Sequence, residues 1–290
     1  MWYIREAQMP LPIECVRAEI SNSSTERLRD HREVTPLLKW AGGKRWQIPA
    51  LLPLWRHADA VRLVEPFCGG LSVTLGLRPT RAVLNDINPH VINFYQRVKR
   101  GLHIEFALEN DREQYYRYRH RFNELLKKGC AGTSEAAGLF YYLNRTGYNG
   151  LCRFNSSGGF NVPFGKYRAI SYRTQFKEYE PILSQWEFSN TDFEEIDLAP
   201  DDFVYADPPY DVDFTQYSKG GFDWGEQQRV AEWLSKHVGP VVLSNQATSR
   251  IVKLYRSLGF TLSYLDAPRR ISCTGDRTPA REVLALRNIA

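Results

Sequence analysis

Four apolar residues, Phe203-Val204-Tyr205-Ala206, run straight into Asp207-Pro208-Pro209-Tyr210. A short continuous apolar run bounded by turn residues reads as a buried strand. Proline fixes φ and donates no hydrogen bond, so the turn is stiff. The acid, the carbonyls and the Tyr210 ring are then held at the carboxyl end of the strand, where open α/β sheets bind ligands. An Asx-Pro turn with a packed tyrosine accounts for the same four letters, so the decision rests on the remainder of the chain.

The same construction recurs upstream. Val61-Arg62-Leu63-Val64 reads as a first parallel strand. It is followed by the turn Glu65-Pro66-Phe67-Cys68-Gly69-Gly70 and a helix from Leu71 to Leu77. A second strand, Arg81 to Leu84, ends at Asn85-Asp86, with Asp86 21 residues beyond Glu65. Strand, acid, Gly-rich turn and helix make up a nucleotide-binding crossover, and an acid about 20 residues further on is where such folds hold ribose hydroxyls. This places Glu65, Phe67 and Asp86 at a cofactor site, although a helix N-cap is the ordinary use of Asp86. Further units follow: a helix over 89–99, a strand at 186–188 and, after the Asp207 strand, a helix over 225–237. A strand at 240–244, a helix over 248–257 and strands at 260–265 and 282–286 complete the set. The pattern predicts an α/β fold with a Rossmann-like sheet.

Before the first strand stands Lys39-Trp40-Ala41-Gly42-Gly43-Lys44. Adjacent glycines allow close approach of backbone to a ligand, and the spacing is not that of a Walker A loop. Lys44 is expected to open a helix shortened or distorted by Pro49 and Pro53. Asp192 and Phe193, after the strand at 186–188, fit either an adenine pocket or a cap with a core residue.

Residues 101–145 break the alternation. Arg112, Tyr115, Tyr116, Arg119 and Phe122 fall at helical spacing, as do Ala136, Leu139, Phe140 and Leu143. Between Arg97 and Lys177 there are 15 Lys/Arg against 6 Asp/Glu, while the other residues hold 23 against 27. A basic segment inside a slightly acidic host points to nucleic acid, because Lys and Arg displace counterions from phosphates. Within it, Asn144 to Asn155 and Phe160 to Tyr167 flank Gly158-Gly159, which predicts a β-hairpin. Arg145, Arg153 and the asparagines supply base-edge donors and acceptors. Tyr148 supplies a stacking or wedging ring. A helix is expected at about 174–184. The loop 211–223 reads as a flap over the site, and Pro268 to Arg277, with Arg269 and Arg270, as a phosphate-binding loop.

Composition excludes several classes. Five scattered cysteines without a CxxC pair argue against a disulfide framework or a zinc site and fit a reducing cytoplasm. There is no apolar run long enough for a membrane span. Residues 1–34 lack periodicity and read as a leader.

Taken together, the motifs resemble those of the DNA adenine-N6 methyltransferases of the Dam family. The matching elements are KWAGGK (39–44), EPFCGG (65–70), NDIN (85–88), NRTGYNGLCRFN (144–155), FNVPFGKY (160–167) and DPPY (207–210), in the family's order. The resemblance implies a methyltransferase sheet over 35–100 and 185–290, with an inserted, mainly helical DNA-recognition subdomain over 101–184. It implies S-adenosylmethionine as methyl donor and adenine in GATC of double-stranded DNA as target. By motif position, Trp40, Ala41, Gly42, Lys44, Asp86 and Asp192 would bind the donor. Lys39, Leu151, Arg153 and Pro163 would read bases, Tyr148 would intercalate and Asn149 would stabilise the partner base. Lys166 stands where relatives often carry Arg, and Leu71 where many carry Gly. Asp207 and Pro208 would orient the target amine and Tyr210 would stack on the base. No metal and no obligate protein partner is implied, and a monomer is expected. Two other readings stay open: transfer to another amine, such as cytosine N4 or an RNA base, and a non-catalytic DNA-binding protein.

Overall fold

The computed structural model describes residues 34–211, 222–267 and 280–289. The leader over 1–33, the flap segment 212–221 and the basic loop carrying Arg269 and Arg270 lie outside the described residues.

Seven strands of the described chain form one sheet. They are β1 (Leu63–Glu65), β2 (Ala82–Asn85), β3 (Trp186–Ser189), β4 (Phe203–Ala206), β5 (Val241–Gln246), β6 (Thr261–Ala267) and β7 (Ala280–Arg287), in the order β3-β2-β1-β4-β5-β7-β6. The first five in that order run parallel, whereas β7 is antiparallel to both β5 and β6. The order reverses between β1 and β4, so a crevice opens at their carboxyl ends. That crevice receives Glu65 from one strand and Asp207 from the other.

Side-chain alternation divides the sheet into two cores. Leu63, Leu84, Phe203, Tyr205, Val242 and Leu284 face one, and Val64, Val204, Ala206, Leu243 and Val283 face the other. The second face is covered by the helices α7 (Trp224–Ser235) and α8 (Ser249–Ser257). The first is covered by α1 (Ile48–His57), α2 (Ser72–Leu77) and α3 (Pro89–Lys99). Short polar caps start the longer helices: Asn88 accepts from His90 N, Asp223 from Glu226 N and Thr248 from Ile251 N. The cap of α3 is thus Asn88, and Asp86 is not put to the ordinary use that the sequence also allowed it. A 3-10 turn over Arg45–Gln47 leads into α1, which stays helical through Pro53.

The segment between α3 and β3 carries α4 (Arg112–Lys127), α5 (Ser134–Thr146) and a single turn, α6 (Glu180–Leu183). Its aromatic residues join the core of the first sheet face. The Phe94 ring of α3 stacks on Tyr141 of α5 at 5.5 Å, and both meet Phe176 edge-on.

Two expectations for this segment are corrected. The helix at 174–184 is limited to α6, beginning next to Pro181 after a turn. The β-hairpin over 144–167 is not regular: its antiparallel contacts are the isolated bridges Gly147–Phe164 and Phe154–Phe160. The physical reason lies in α4, whose side chains take the backbone groups that a ladder would use. Asn123 donates to Phe160 O at 3.1 Å and accepts from Phe160 N at 2.8 Å. Tyr115 and Arg119 both donate to Val162 O, at 2.9 and 3.0 Å. Pro163 has no N–H to offer. The result is a loop clamped on a helix.

Candidate active site

A cavity of about 560 Å³ lies at the reversal point of the sheet, lined by the loop before α1, the ends of β1, β2 and β4, Gly150 to Arg153, and Glu282. Its size is that of a small-molecule site.

One end is built from glycines and acids. Gly69 has φ of 43°, and a Cβ there would stand 2.4 Å from Trp40 Nε1. One at Gly70 would stand 2.8 Å from Trp40 Cβ. The pair lets the indole lie directly on the turn. Gly69 N donates to Asp86 Oδ2 at 3.0 Å, and Asn88 N to Asp86 Oδ1 at 2.9 Å. Burial pushes the Asp86 carboxyl up to about 6 against those two bonds. Ile87, 70% exposed, adds an apolar side chain beside it on the cavity wall. Glu65 is buried, accepts from Thr74 Oγ1 and is pushed up to about 8, by burial first and by the charge of Asp207 in addition. Leu71, at the start of α2, has φ of 57° with a fully buried side chain. The left-handed conformation that suits glycine is thus held by a leucine anchored in the core.

The other end is Asp207-Pro208-Pro209-Tyr210. Gln227 donates to Pro209 O at 2.7 Å and fixes the turn to α7. Asp207 Oδ2 lies 3.1 Å from Lys44 Nζ, while Oδ1 is buried without a partner. Burial raises the Asp207 carboxyl and Lys44 opposes the rise. Lys44 also donates to Gly42 O at 2.8 Å and sits 4.4 Å from the centre of the Tyr210 ring. Tyr210 donates its hydroxyl to Glu282 Oε2 at 2.7 Å. Lys44, expected among the donor-binding residues, thus has its ammonium at Asp207.

A third wall comes from the loop after α5. Asn144 holds Lys39 by both backbone groups, at 2.7 and 2.8 Å, and Lys39 Nζ donates to Arg145 O at 2.6 Å above the Tyr167 ring. Burial, with Arg145 adding, lowers the Lys39 ammonium to about 8. Asn149 and Gly150 are both left-handed, and a Cβ on Gly150 would stand 2.3 Å from Lys39 Cβ. This double reversal leaves Tyr148 and Asn149 exposed. Leu151 and Arg153 turn to the cavity, with Arg153 Nε donating to Asn161 Oδ1 at 2.9 Å. Pro163 is exposed and its carbonyl accepts from Tyr148 N at 2.9 Å. Lys166 is exposed with φ of 51°, and Arg145 donates to Ser171 O at 3.2 Å with its Nε buried and unpartnered.

Most sequence-predicted residues therefore converge: Trp40, Ala41, Gly42, Lys44, Glu65, Phe67, Asp86, Leu151, Arg153, Asp207, Pro208 and Tyr210 share the cavity wall. Asp192 does not join them. It caps the turn Phe193–Glu195 and its carboxylate is taken by Arg229. Phe193 is buried behind Phe67, ring centres 5.6 Å apart. Sequence reasoning missed Ile87, Gln47 and Glu282. The available signal for Glu282 was an acid at the start of an apolar run, Val283 to Leu286.

Residues 40–271 match the family described as D12 class N6 adenine-specific DNA methyltransferase. The chain is 37% identical over 271 residues to the DNA adenine methylase of Vibrio cholerae, spanning 86% of this chain and 94% of that one. It is 34% identical over 268 residues to the retron Ec67 DNA adenine methylase of Escherichia coli, spanning 87% and 91%. A solved magnesium protoporphyrin IX methyltransferase from Synechocystis PCC 6803 aligns with a TM-score of 0.37 and 13% identity, covering 97% of this chain and 100% of that one. The chain belongs to the D12 class of N6 adenine-specific DNA methyltransferases. It is an enzyme of adenine methylation in DNA, with S-adenosylmethionine as methyl donor.

The residues present fit that donor. A turn without side chains at Gly69 and Gly70, a cavity-facing acid at the end of β2 and the apolar Ile87 beside it suit an adenosine. Glu65 and Asp86 line the same cavity, and a cation bound there would draw both raised carboxyls back towards the charged form. Among the described residues, no helix is long and apolar enough to cross a membrane, and no group of three or more His, Cys, Asp and Glu is arranged to hold a metal ion.

Proposed function

We propose that this enzyme methylates adenine N6 within GATC of duplex DNA, on a base swung out of the helix into the cavity. The observation that carries the reading is the Asp207 carboxylate, part of the cavity wall and held at Oδ2 by Lys44, with Leu151 to Arg153 lining the same cavity. An ionised carboxylate only accepts hydrogen bonds, and an exocyclic amine entering the cavity offers it an N–H.

The N6 lone pair of adenine is delocalised into the ring, so the amine is a poor nucleophile. Asp207 and the Pro208 carbonyl, accepting from its two N–H groups, draw the nitrogen towards tetrahedral geometry. Asp207 acts chiefly by orienting the amine and stabilising the charge that develops on it, and the amine sheds its proton after attack. When bound, S-adenosylmethionine supplies the electrophilic methyl carbon of its sulfonium. Tyr210 stacks on the base. Trp40, Ala41, Gly42, Glu65, Phe67 and Asp86 form the donor end.

Residues 101–184 serve as the DNA-recognition segment. Arg153, Leu151, Pro163 and Lys39 read base edges. Exposed Tyr148 fills the gap left by the target, offsetting part of an unstacking cost of a few kcal/mol, and Asn149 meets the partner base. Arg145 and Lys166 contact the backbone phosphates. All these residues belong to one chain, and a monomer suffices.

The test is protection of DNA lacking adenine methylation from nucleases that differ in their response to methyl groups in GATC. Protection against the enzyme blocked by N6-methyladenine at GATC supports the reading. Cleavage unchanged at GATC, with label on cytosine or RNA or with no label at all, overturns it.

A further inference from the structure

A polar cluster lies beneath Asp207-Pro208-Pro209-Tyr210, in a row that is otherwise apolar. Glu282 shares its face of β7 with Leu284 and Leu286, and is paired in register with Gln246 of β5. An acid buried to 6% exposure in such a row costs desolvation free energy unless it is partnered. Its Oε2 accepts from Tyr210 Oη at 2.7 Å and from Gln47 Nε2 at 2.8 Å. Gln47 is held in turn by Tyr205 Oη, which donates to its Oε1 at 2.8 Å, and it donates to Ser244 Oγ at 3.1 Å. The other oxygen, Oε1, faces Lys44 Nζ at 4.0 Å, within ion-pair range and beyond a hydrogen bond. The Lys44 ammonium therefore stands between two carboxylates, 3.1 Å from Asp207 and 4.0 Å from Glu282.

We propose that Glu282 is a positioning residue of the transfer site, which holds Tyr210 by its phenol and offers the Lys44 ammonium a second carboxylate, freeing Asp207 for the target amine. This rests on the reading of Asp207 as the acceptor of that amine. Lys44 is 5% exposed, so an ammonium leaving Asp207 has little water to receive it. A buried cation stripped of its partner is strongly unfavourable. With Glu282 in place, a small displacement of a flexible lysine chain exchanges one carboxylate for the other. The oxygen that bonds Tyr210 and Gln47 stays fixed throughout, because Lys44 meets the other one.

Two variants separate charge from shape. Glu282→Gln keeps the length and an acceptor for Tyr210 and Gln47 but removes the charge. Glu282→Asp keeps the charge on a shorter stem. Single-turnover methyl transfer from S-adenosylmethionine to saturating GATC duplex is the readout, with KM for DNA and donor measured alongside. The expected result is a fall of about tenfold or more in the single-turnover rate constant for Glu282→Gln, KM values holding, and a loss within about threefold for Glu282→Asp. A purely structural role predicts the opposite order, and an equal or reversed order overturns the proposal. Absence of adenine methylation by the unaltered protein would overturn the reading of the site itself.

Discussion

Lys44 Nζ stands 3.1 Å from one oxygen of Asp207, and the other oxygen of that carboxylate is buried without a partner. The acceptor is thus held at the cavity wall by a cation from the glycine-rich loop at 42–44. Asp207→Ala is expected to reduce methyl transfer by about 100- to 1,000-fold or more while DNA and donor binding survive. Filter binding and a labelled-methyl assay on the same preparation check this. Retained turnover would remove Asp207 from the chemistry.

Arg153 reaches the cavity with Nε on Asn161 Oδ1, which leaves the terminal nitrogens of its guanidinium to read a base. Arg153→Ala is expected to cost about 1–3 kcal/mol of discrimination at one base pair of the site, measured as the ratio of kcat/KM on cognate and single-substituted duplexes. An unchanged ratio would assign base reading elsewhere.

Leu71 combines a left-handed backbone with a side chain in the core. Leu71→Ala keeps the strain and loses the packing, about 2–5 kcal/mol. Leu71→Gly loses the same packing but removes a left-handed penalty of about 1–2 kcal/mol. The glycine variant is therefore expected to be the more stable of the two in urea unfolding.

Glu65 titrates at about 8 in the folded chain, raised by burial from the usual carboxylate value. A raised folded pKa means that its contribution to stability is present below the unfolded value of about 4.5 and lost as pH climbs through about 8. Glu65→Gln cannot ionise. Its thermal midpoint is expected to fall less between about pH 5 and pH 9 than that of the unaltered protein. Parallel falls would show that Glu65 is already ionised at the lower pH.

The sheet was legible because buried strands announce themselves. Phe203–Ala206 is a strand as read, and Pro89–Lys99 a helix with both its ends as read. The cavity wall was legible through acids and glycines at strand ends, since those residue types have few other reasons to stand there. The clamped loop was misjudged because alternation and a Gly-Gly turn are local signals. Whether a ladder forms depends on who takes the backbone groups, and Asn123 and Tyr115 come from a helix some 40 residues away. Asp192 was drawn to the donor by position, but the Arg229 that takes it is 37 residues distant in sequence. Glu282 lies at the far end of the chain and reaches the site through sheet register, which no local pattern reports.

The central claim is adenine-N6 transfer at GATC. Its most direct test is single-molecule methylation mapping of unmethylated duplex DNA exposed to the purified protein and S-adenosylmethionine. The account predicts N6-methyladenine confined to GATC. Methyl groups on cytosine, on adenines without regard to sequence, or on no base would contradict it.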